Sequence, residues 1–399
     1  MESINVYDFG AVGNGIADDT AAIQAAIDTG AKKGLPIKFL PGTYSVGELF
    51  VRKGSVLLAD PTWGYRENGR TQLVQRFETQ QSVLNITDAF CCTINGLAVI
   101  GQKKPGGCTG ILARKPGQAH MEDSYRLERI QSYGFTGDAC RLEHSWAFTI
   151  RHCMFAGCDG DGLHLQDSFD GFILDTWFSG NRGCGYGTSG ENNAITMSGC
   201  RVEWNAGGGI VIRGGSHYQI TGNYIDRSGK QGICITTGFE KGSIMYSNTI
   251  SCTGNVIYRS GKRPEGAGEN WEQDQYGFSD GTDQSEAVFP DSCHIAVEKS
   301  AGVTIMGNTM CIGRDDRGVG RISPLYGVRI TGCRYAVVTG NTLFSGALKE
   351  LILAEGNEDT VIDNNPGSLF DRRLEKNTTT LPSSAAVMDL FGKDFIYGY

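Results

Sequence analysis

The chain has 399 residues, a formal net charge of −8 and a pI near 5.4, a balance that argues against nucleic acid or an anionic membrane as a partner. Charged residues make up only 20%, too few for a disordered chain, and no stretch approaches the ~18 to 20 apolar residues of a membrane span. Glycine is abundant (57) and proline scarce (10), which favours short strands joined by turns and leaves neutral glycans as partners, or anionic ones where basic residues line a site.

The opening MESINVYDFG has no basic n-region and no apolar h-region, so no secretion signal is expected. Thirteen cysteines, an odd number, then read as thiols of a reducing compartment, and a cytoplasmic location is expected. No CxxC pair exists and no histidine cluster sits beside a cysteine, so no metal and no cofactor is assigned.

Residues 1–47 read as an N-terminal cap. A short strand ends in a Gly-rich turn, and Asp18 or Asp19 caps a helix whose buried face is Ala22, Ile23, Ala26 and Ile27. Gly30 or Gly34 ends that helix in the left-handed conformation. Strand signals follow at 37–40 and 44–46. An amphipathic helix ahead of many strands is what covers the open end of a stack.

Residues 48–366 repeat. The central apolar residue of each first strand is Ile150, Ile173, Met197, Ile220, Met245, Ile305, Val338 and Val361, with Ile94 and Leu127 before them. The commonest step is about 23 residues, the signature of a coil of two or three short strands. Three residues after each anchor stand Cys153, Thr176, Cys200, Asn223, Asn248, Asn308, Asn341 and Asn364. At the ~4.8 Å strand spacing such asparagines can hydrogen-bond as a ladder, and the cysteines read as core filling. Residues 253–292 form a long insertion and residues 367–399 a C-terminal tail, whose apolar end covers the last coil or an oligomer contact.

The segment YDFGAVGNGIADDTAAIQAAID (7–28), with these repeats, resembles the N-terminal signature of the pectate-lyase-like right-handed parallel β-helix superfamily. That group includes family 28-related glycoside hydrolases, mannuronan epimerases, inulin fructotransferases and phage tailspikes. The resemblance covers most of the chain. It implies an all-β, right-handed, single-stranded parallel β-helix of about ten coils behind a capping helix. It also implies a poly- or oligosaccharide partner, a homotrimer, and a phage particle as the location if the chain is a tailspike. A shared fold does not carry a reaction.

The first residue of one turn, read down the stack, is Ala156, Ser179, Glu203, Asp226, Ser251, Cys311 and Phe344. Only Glu203 and Asp226 are acids, and they are neighbours. Two carboxylates one coil apart need a shared proton or an intervening cation, which is how acids with split pKa values arise. They are the leading catalytic pair; the alternative is a surface turn in which Glu203 pairs with Arg201 or Arg227. Asp161, in CDGDGLHLQD, resembles the GDG acid of family 28 hydrolases, although that family's NTD strand, DD pair and GHG turn are absent. Asp175, expected on a first strand facing outward, is a further candidate acid. Trp204, Arg227, Trp271, Tyr276 and His152 are candidate substrate-binding groups, with lone-aromatic packing and a solvated histidine as alternatives. GCGYG (183–187) could form an anion-binding nest. No Walker loop, nucleophile elbow or dinucleotide fingerprint is present.

The function expected from these residues is cleavage, or intramolecular transfer, of glycosidic bonds by paired carboxylates. A uronate lyase or epimerase is the second option; it needs a base and cations, and Lys and Arg look sparse on the presumed edge. A non-catalytic, tailspike-like glycan binder is the third.

Overall fold

The computed structural model describes residues 2–60, 63–64, 67–116, 122–261, 292–313 and 322–371. Each turn of the chain lays down one strand in each of three parallel sheets. Among the described residues, sheet A has thirteen strands, from Ile4–Asn5 to Val361–Asp363. Sheet B has eleven, from Asn14–Asp18 to Thr309–Cys311, and sheet C eleven, from Leu49–Phe50 to Glu350–Glu355. The near-equal counts mean that almost every coil contributes to all three stacks, the architecture of a parallel β-helix.

Inward side chains of equivalent rungs sit directly on one another. Leu127, Ile150, Ile173, Met197 and Ile220 pair in sequence along sheet A and are all buried. Burying each such side chain stabilises the fold by about 1.5–3 kcal/mol relative to leaving it in water. Many strand exits turn the corner through a residue in the left-handed region. Where that residue is His152 (φ +52°), Asp175 (φ +49°) or Trp204 (φ +61°) instead of glycine, the conformation belongs to the coil and does not by itself mark a site.

Helix α1 (Thr20–Lys33) packs its Ile23, Ala26 and Ile27 face against the first strands. The Asp18 carboxylate accepts from the Thr20 amide at 3.0 Å, while Asp19 reaches back to the Val12 and Gly13 amides at 2.6 and 3.1 Å. Gly34 ends the helix at φ +67°. Gly30 lies inside it, where a Cβ would stand 2.6 Å from Ile37.

Two anchors expected from the sequence are displaced. Ile220 pairs with Cys252, not Met245, and Val338 with Ile362, not Val361. The cause of the first shift is an antiparallel hairpin, Gly238–Glu240 with Ser243–Met245, which adds residues between sheets C and A. The polar column is therefore Cys153, Thr176, Cys200, Asn223, Asn255, Asn308, Asn341 and Asn365. From Asn223 onward each side-chain amide donates to the next asparagine's oxygen at 2.8–3.0 Å. The buried cysteines of this column are inert: burial pushes the Cys153 and Cys200 thiols up to about 12.

The boundaries move as well. The strands Ile37–Lys38 and Gly42–Val46 already pair within sheets A and B, so the coils start inside residues 1–47. Gly367–Leu369 pairs with Leu343–Ala347 beyond residue 366. Residues 253–261 finish one sheet-A strand and supply the sheet-B strand Val256–Tyr258, so they belong to the coil and not to an insertion.

The corrected register has a measurable consequence. Asn255→Ala removes the acceptor of the Asn223 amide (3.0 Å) and donors to Ile220 O (3.1 Å) and Asn308 (2.9 Å). Leaving a buried donor unpaired costs about 1–3 kcal/mol. Asn248→Ala, in the residue that the repeat spacing places in the ladder, should stay within about 0.5 kcal/mol. Urea unfolding of the two variants checks this, and equal losses would contradict the register.

Candidate active site

Sheet B presents two outward columns. The first is Met154, Trp177, Arg201, Tyr224 and Val256; the second is Ala156, Ser179, Glu203, Asp226 and Tyr258. Glu203 and Asp226 are register partners on adjacent rungs, as their equal spacing predicts. Tyr258, not Ser251, follows Asp226 in that column.

Cations intervene between these acids and solvent. Arg201 donates to Glu203 Oε1 through Nε at 2.9 Å and Nη2 at 2.6 Å. Its guanidinium lies between the rings of Trp177 and Tyr224, 5.3 and 4.6 Å from their centroids, within cation–π range. Asp226 is only 2% exposed. Arg259 grips both its oxygens at 3.1 and 2.9 Å, and Arg227 also pairs with its Oδ2. Arg227, itself buried, stacks 4.0 Å from the Trp204 ring centroid, and Arg259 stacks on Tyr258 at 4.3 Å. Of the two arrangements open to neighbouring carboxylates, a shared proton or an intervening cation, the arginines supply the second, and Glu203 pairs with Arg201. Asp226 is a fixed anion in a buried ion cluster, and Arg227 is engaged by Asp226 and Trp204. Burial, reinforced by the Asp226 charge, holds the Tyr224 phenol above its ordinary value, so it is a poor base at neutral pH.

A second polar cluster occupies the turn from sheet B to sheet C and the outer face of sheet C, its Asp138 three coils and its Asp161 two coils before Glu203. Asp138 Oδ1 accepts from the Asp161 amide at 2.7 Å, and Asp161 Oδ1 accepts from the Cys184 amide at 2.6 Å. The GCGYG segment thus supplies an N–H to an internal carboxylate. Glycine is required there, since a Cβ on Gly183 or Gly187 would lie 2.3 or 2.2 Å from an Asp161 oxygen. Asp161 Oδ2 is 2.8 Å from His164 Nδ1, and His164 Nε2 is 2.8 Å from Ser189 Oγ. Arg141 donates to Asp138 at 3.1 Å, Glu143 at 2.6 Å and Gln166 at 3.3 Å, and Arg114 reaches Glu143 at 2.9 Å.

Burial, and then the neighbouring Asp161 charge, push the Asp138 carboxyl above the usual carboxylate range. A group whose folded value is raised contributes stability that is full below its unfolded value, near 3.8, and is lost as pH rises through the folded value. Stability of the native chain relative to Asp138→Asn should therefore fall as pH is raised from about 4, then level off once Asp138 ionises in both states. Urea midpoints across pH check this; a gap that does not change with pH would contradict it.

Asp175 and His152 lie elsewhere. Both are left-handed turn residues between sheets A and B, so Asp175 is not on the strand, which ends at Leu174. His152 Nε2 is 3.3 Å from Asp175 Oδ2, and both side chains are about half exposed. They form a solvated pair at the opposite end of the sheet-B strands from Glu203. Trp271 and Tyr276 fall outside the described residues, as do Arg314, Asp315, Asp316, Arg317 and the tail from 372. In chain order, residues 262–291 and 314–321 both separate a sheet-B strand from a sheet-C strand, the same connection in which Trp204 and Asp161 lie.

A family model for the right-handed β-helix region matches residues 109–250 and 138–366. The chain belongs to the right-handed β-helix family. This β-helix chain is similar to mannuronan C5-epimerase AlgE1 of Azotobacter vinelandii, 28% identical over 245 residues, a match covering 53% of the chain and 16% of the epimerase. The AlgE5 epimerase of the same organism is 26% identical, with 53% and 23% covered. The chain thus spans less than a quarter of the length of these relatives. Tailspike protein 2 of an Escherichia coli O157:H7 bacteriophage superimposes with a TM-score of 0.61 at 14% identity, over 85% of this chain and 42% of the tailspike. The DFA-IIIase of Arthrobacter chlorophenolicus A6 gives 0.58 at 12% identity, over 90% and 93%. At such identities these structures show the shared fold.

Among the residues of these two clusters that the sequence does not single out are Asp138, Arg141, Ser189, Tyr224 and Arg259. Asp138 had a usable signal, because TGD (136–138) stands 23 residues before DGD (159–161). Arg259 did not, because it lay within the segment taken for an insertion. With Arg201, Arg227 and Arg259 all in place, the edge is also not poor in arginine, contrary to expectation.

Proposed function

We propose that the protein is a carbohydrate-active enzyme that lays an oligo- or polysaccharide across the edge between sheets B and C and cleaves, or intramolecularly transfers, a glycosidic bond there. The observation that carries this is the Trp177–Arg201–Tyr224 stack beside Glu203. Aromatic faces and a cation held in line next to a carboxylate suit a chain of sugar rings. Glu203 takes the proton-transfer role, because both Arg201 bonds fall on its Oε1 and its neighbour Asp226 is enclosed. Asp226 keeps Arg227 against Trp204. The likeness to mannuronan C5-epimerases supports a saccharide as the substrate class.

Two observations favour a second reading, elimination or C5-epimerisation of a uronate: the arginines on this edge and the epimerase match itself. His164, oriented by Asp161, would then be the base. The test is product analysis on a panel of fructans, arabinans and uronate polymers. New reducing ends or a cyclised product support the glycosidic reading. An ultraviolet-absorbing unsaturated product or inverted uronates support the second. Binding without any product would make the chain a tailspike-like glycan binder.

A further inference from the structure

We infer that Asp161, His164 and Ser189 form a nucleophilic triad on the outer face of sheet C, and that it hydrolyses carboxylic esters carried by the glycan. That the ester is on a glycan rests on the proposal above; the triad itself rests on geometry alone. Both required hydrogen bonds are made, Asp161 Oδ2 to His164 Nδ1 at 2.8 Å and His164 Nε2 to Ser189 Oγ at 2.8 Å. Asp161 is fixed from behind, since its Oδ1 accepts from the Cys184 amide and its own amide is held by Asp138. An ionised Asp161 accepting from Nδ1–H sets the imidazole tautomer and turns the Nε2 lone pair to the Ser189 hydroxyl.

Ser189 is held with comparable firmness. It ends the strand Tyr186–Ser189, and its carbonyl accepts from Asn192 at 2.9 Å. The next residues are pinned by the Asp167 carboxylate, which accepts from the Glu191 amide at 2.7 Å. Gly187 is the register partner of His164, so no side chain rises from that position over the imidazole. Side chains able to donate to a developing oxyanion stand on the two neighbouring rungs. Gln166 is the register partner of Ser189. Gly187 pairs with Val211, which puts Arg213 one coil beyond Ser189; its guanidinium already donates to Thr188 O at 3.3 Å.

The chemistry balances with water as the only co-reactant. Ser189 Oγ bonds to the acyl carbon as its proton passes to His164 Nε2. The acyl–oxygen bond to the sugar then breaks, and His164 returns the proton to the departing sugar hydroxyl. Water, deprotonated by His164, attacks the acyl-serine and releases the carboxylic acid and Ser189. Sequence inspection does not reveal this site because the serine follows GYGT on a strand, with no G-x-S-x-G elbow, and the members are 25 residues apart.

The purified full chain is incubated with O-acetylated xylan and with p-nitrophenyl acetate, and released acetate or nitrophenol is measured. Release is expected, and Ser189→Ala and His164→Asn should each lower it by about 10³-fold or more. Independently, a serine-reactive phosphonate should add its mass at Ser189 in the native protein and fail to do so in folded His164→Asn. No release together with no labelling, or release unchanged in Ser189→Ala, overturns the triad. Chain cleavage on the glycan panel without ester release would remove this inference and leave the proposed function standing. Ester release without chain cleavage would do the reverse.

Discussion

Glu203→Gln should lower turnover of the cleaved glycan by about 10²–10⁴-fold, the usual worth of a positioned proton donor or acceptor. The amide keeps the shape of the side chain and can still accept from Arg201, but it cannot give or take a proton. Saccharide binding along Trp177 and Tyr224 should therefore persist, so the loss is expected in kcat and not in KM. Initial rates with the substrate found in the panel measure it. Unchanged turnover would move the chemistry to the Asp161–His164 cluster, which is built for proton transfer and lies on the same edge.

Asp226→Ala is expected to destabilise the fold by about 3–5 kcal/mol. Its carboxylate is buried and pairs with both Arg259 and Arg227, so truncating it takes one ion-pair partner from each of two enclosed guanidinium groups. Trp204, on which Arg227 stacks, should lose its fixed position as well, with a change in tryptophan fluorescence before global unfolding. Urea titration followed by both fluorescence and circular dichroism tests this. A loss below about 1 kcal/mol, the range of solvent-exposed pairs, would show that Asp226 is open to water after all and is available for catalysis.

How far the sequence carries the structure depends on what each feature leaves in the chain. Inward apolar residues must recur once per coil, so the stretch from Ile150 to Ile220 and the Glu203–Asp226 register were readable from spacing alone. The same rule misled at Met245. A hairpin of eight residues (238–245) brought a Met-x-x-Asn sequence to the expected place, while the true anchor, Cys252, is followed by an equally acceptable Asn255. What separates them is their place on the rung: Asn248 opens the sheet-A strand Asn248–Thr253, whereas Asn255 follows that strand and precedes the sheet-B strand Val256–Tyr258. Side-chain partnerships between coils leave no such trace. Arg259 reaches Asp226 across 33 residues and Ser189 reaches His164 across 25, and nothing local in either segment announces the contact. Of the cations that neutralise Glu203 and Asp226, Arg201 and Arg227 stand two residues and one residue away and are visible in the sequence, whereas Arg259 arrives from the next coil.

The most direct examination is a crystal structure of Glu203→Gln soaked with an oligosaccharide of the glycan that the native protein cleaves. Sugar rings should lie over Trp177 and Tyr224, with the bridging oxygen of one linkage within hydrogen-bond reach of the substituted side chain. A saccharide seated instead on the outer face of sheet A, or at the His152–Asp175 corner, would contradict the placement of the active site.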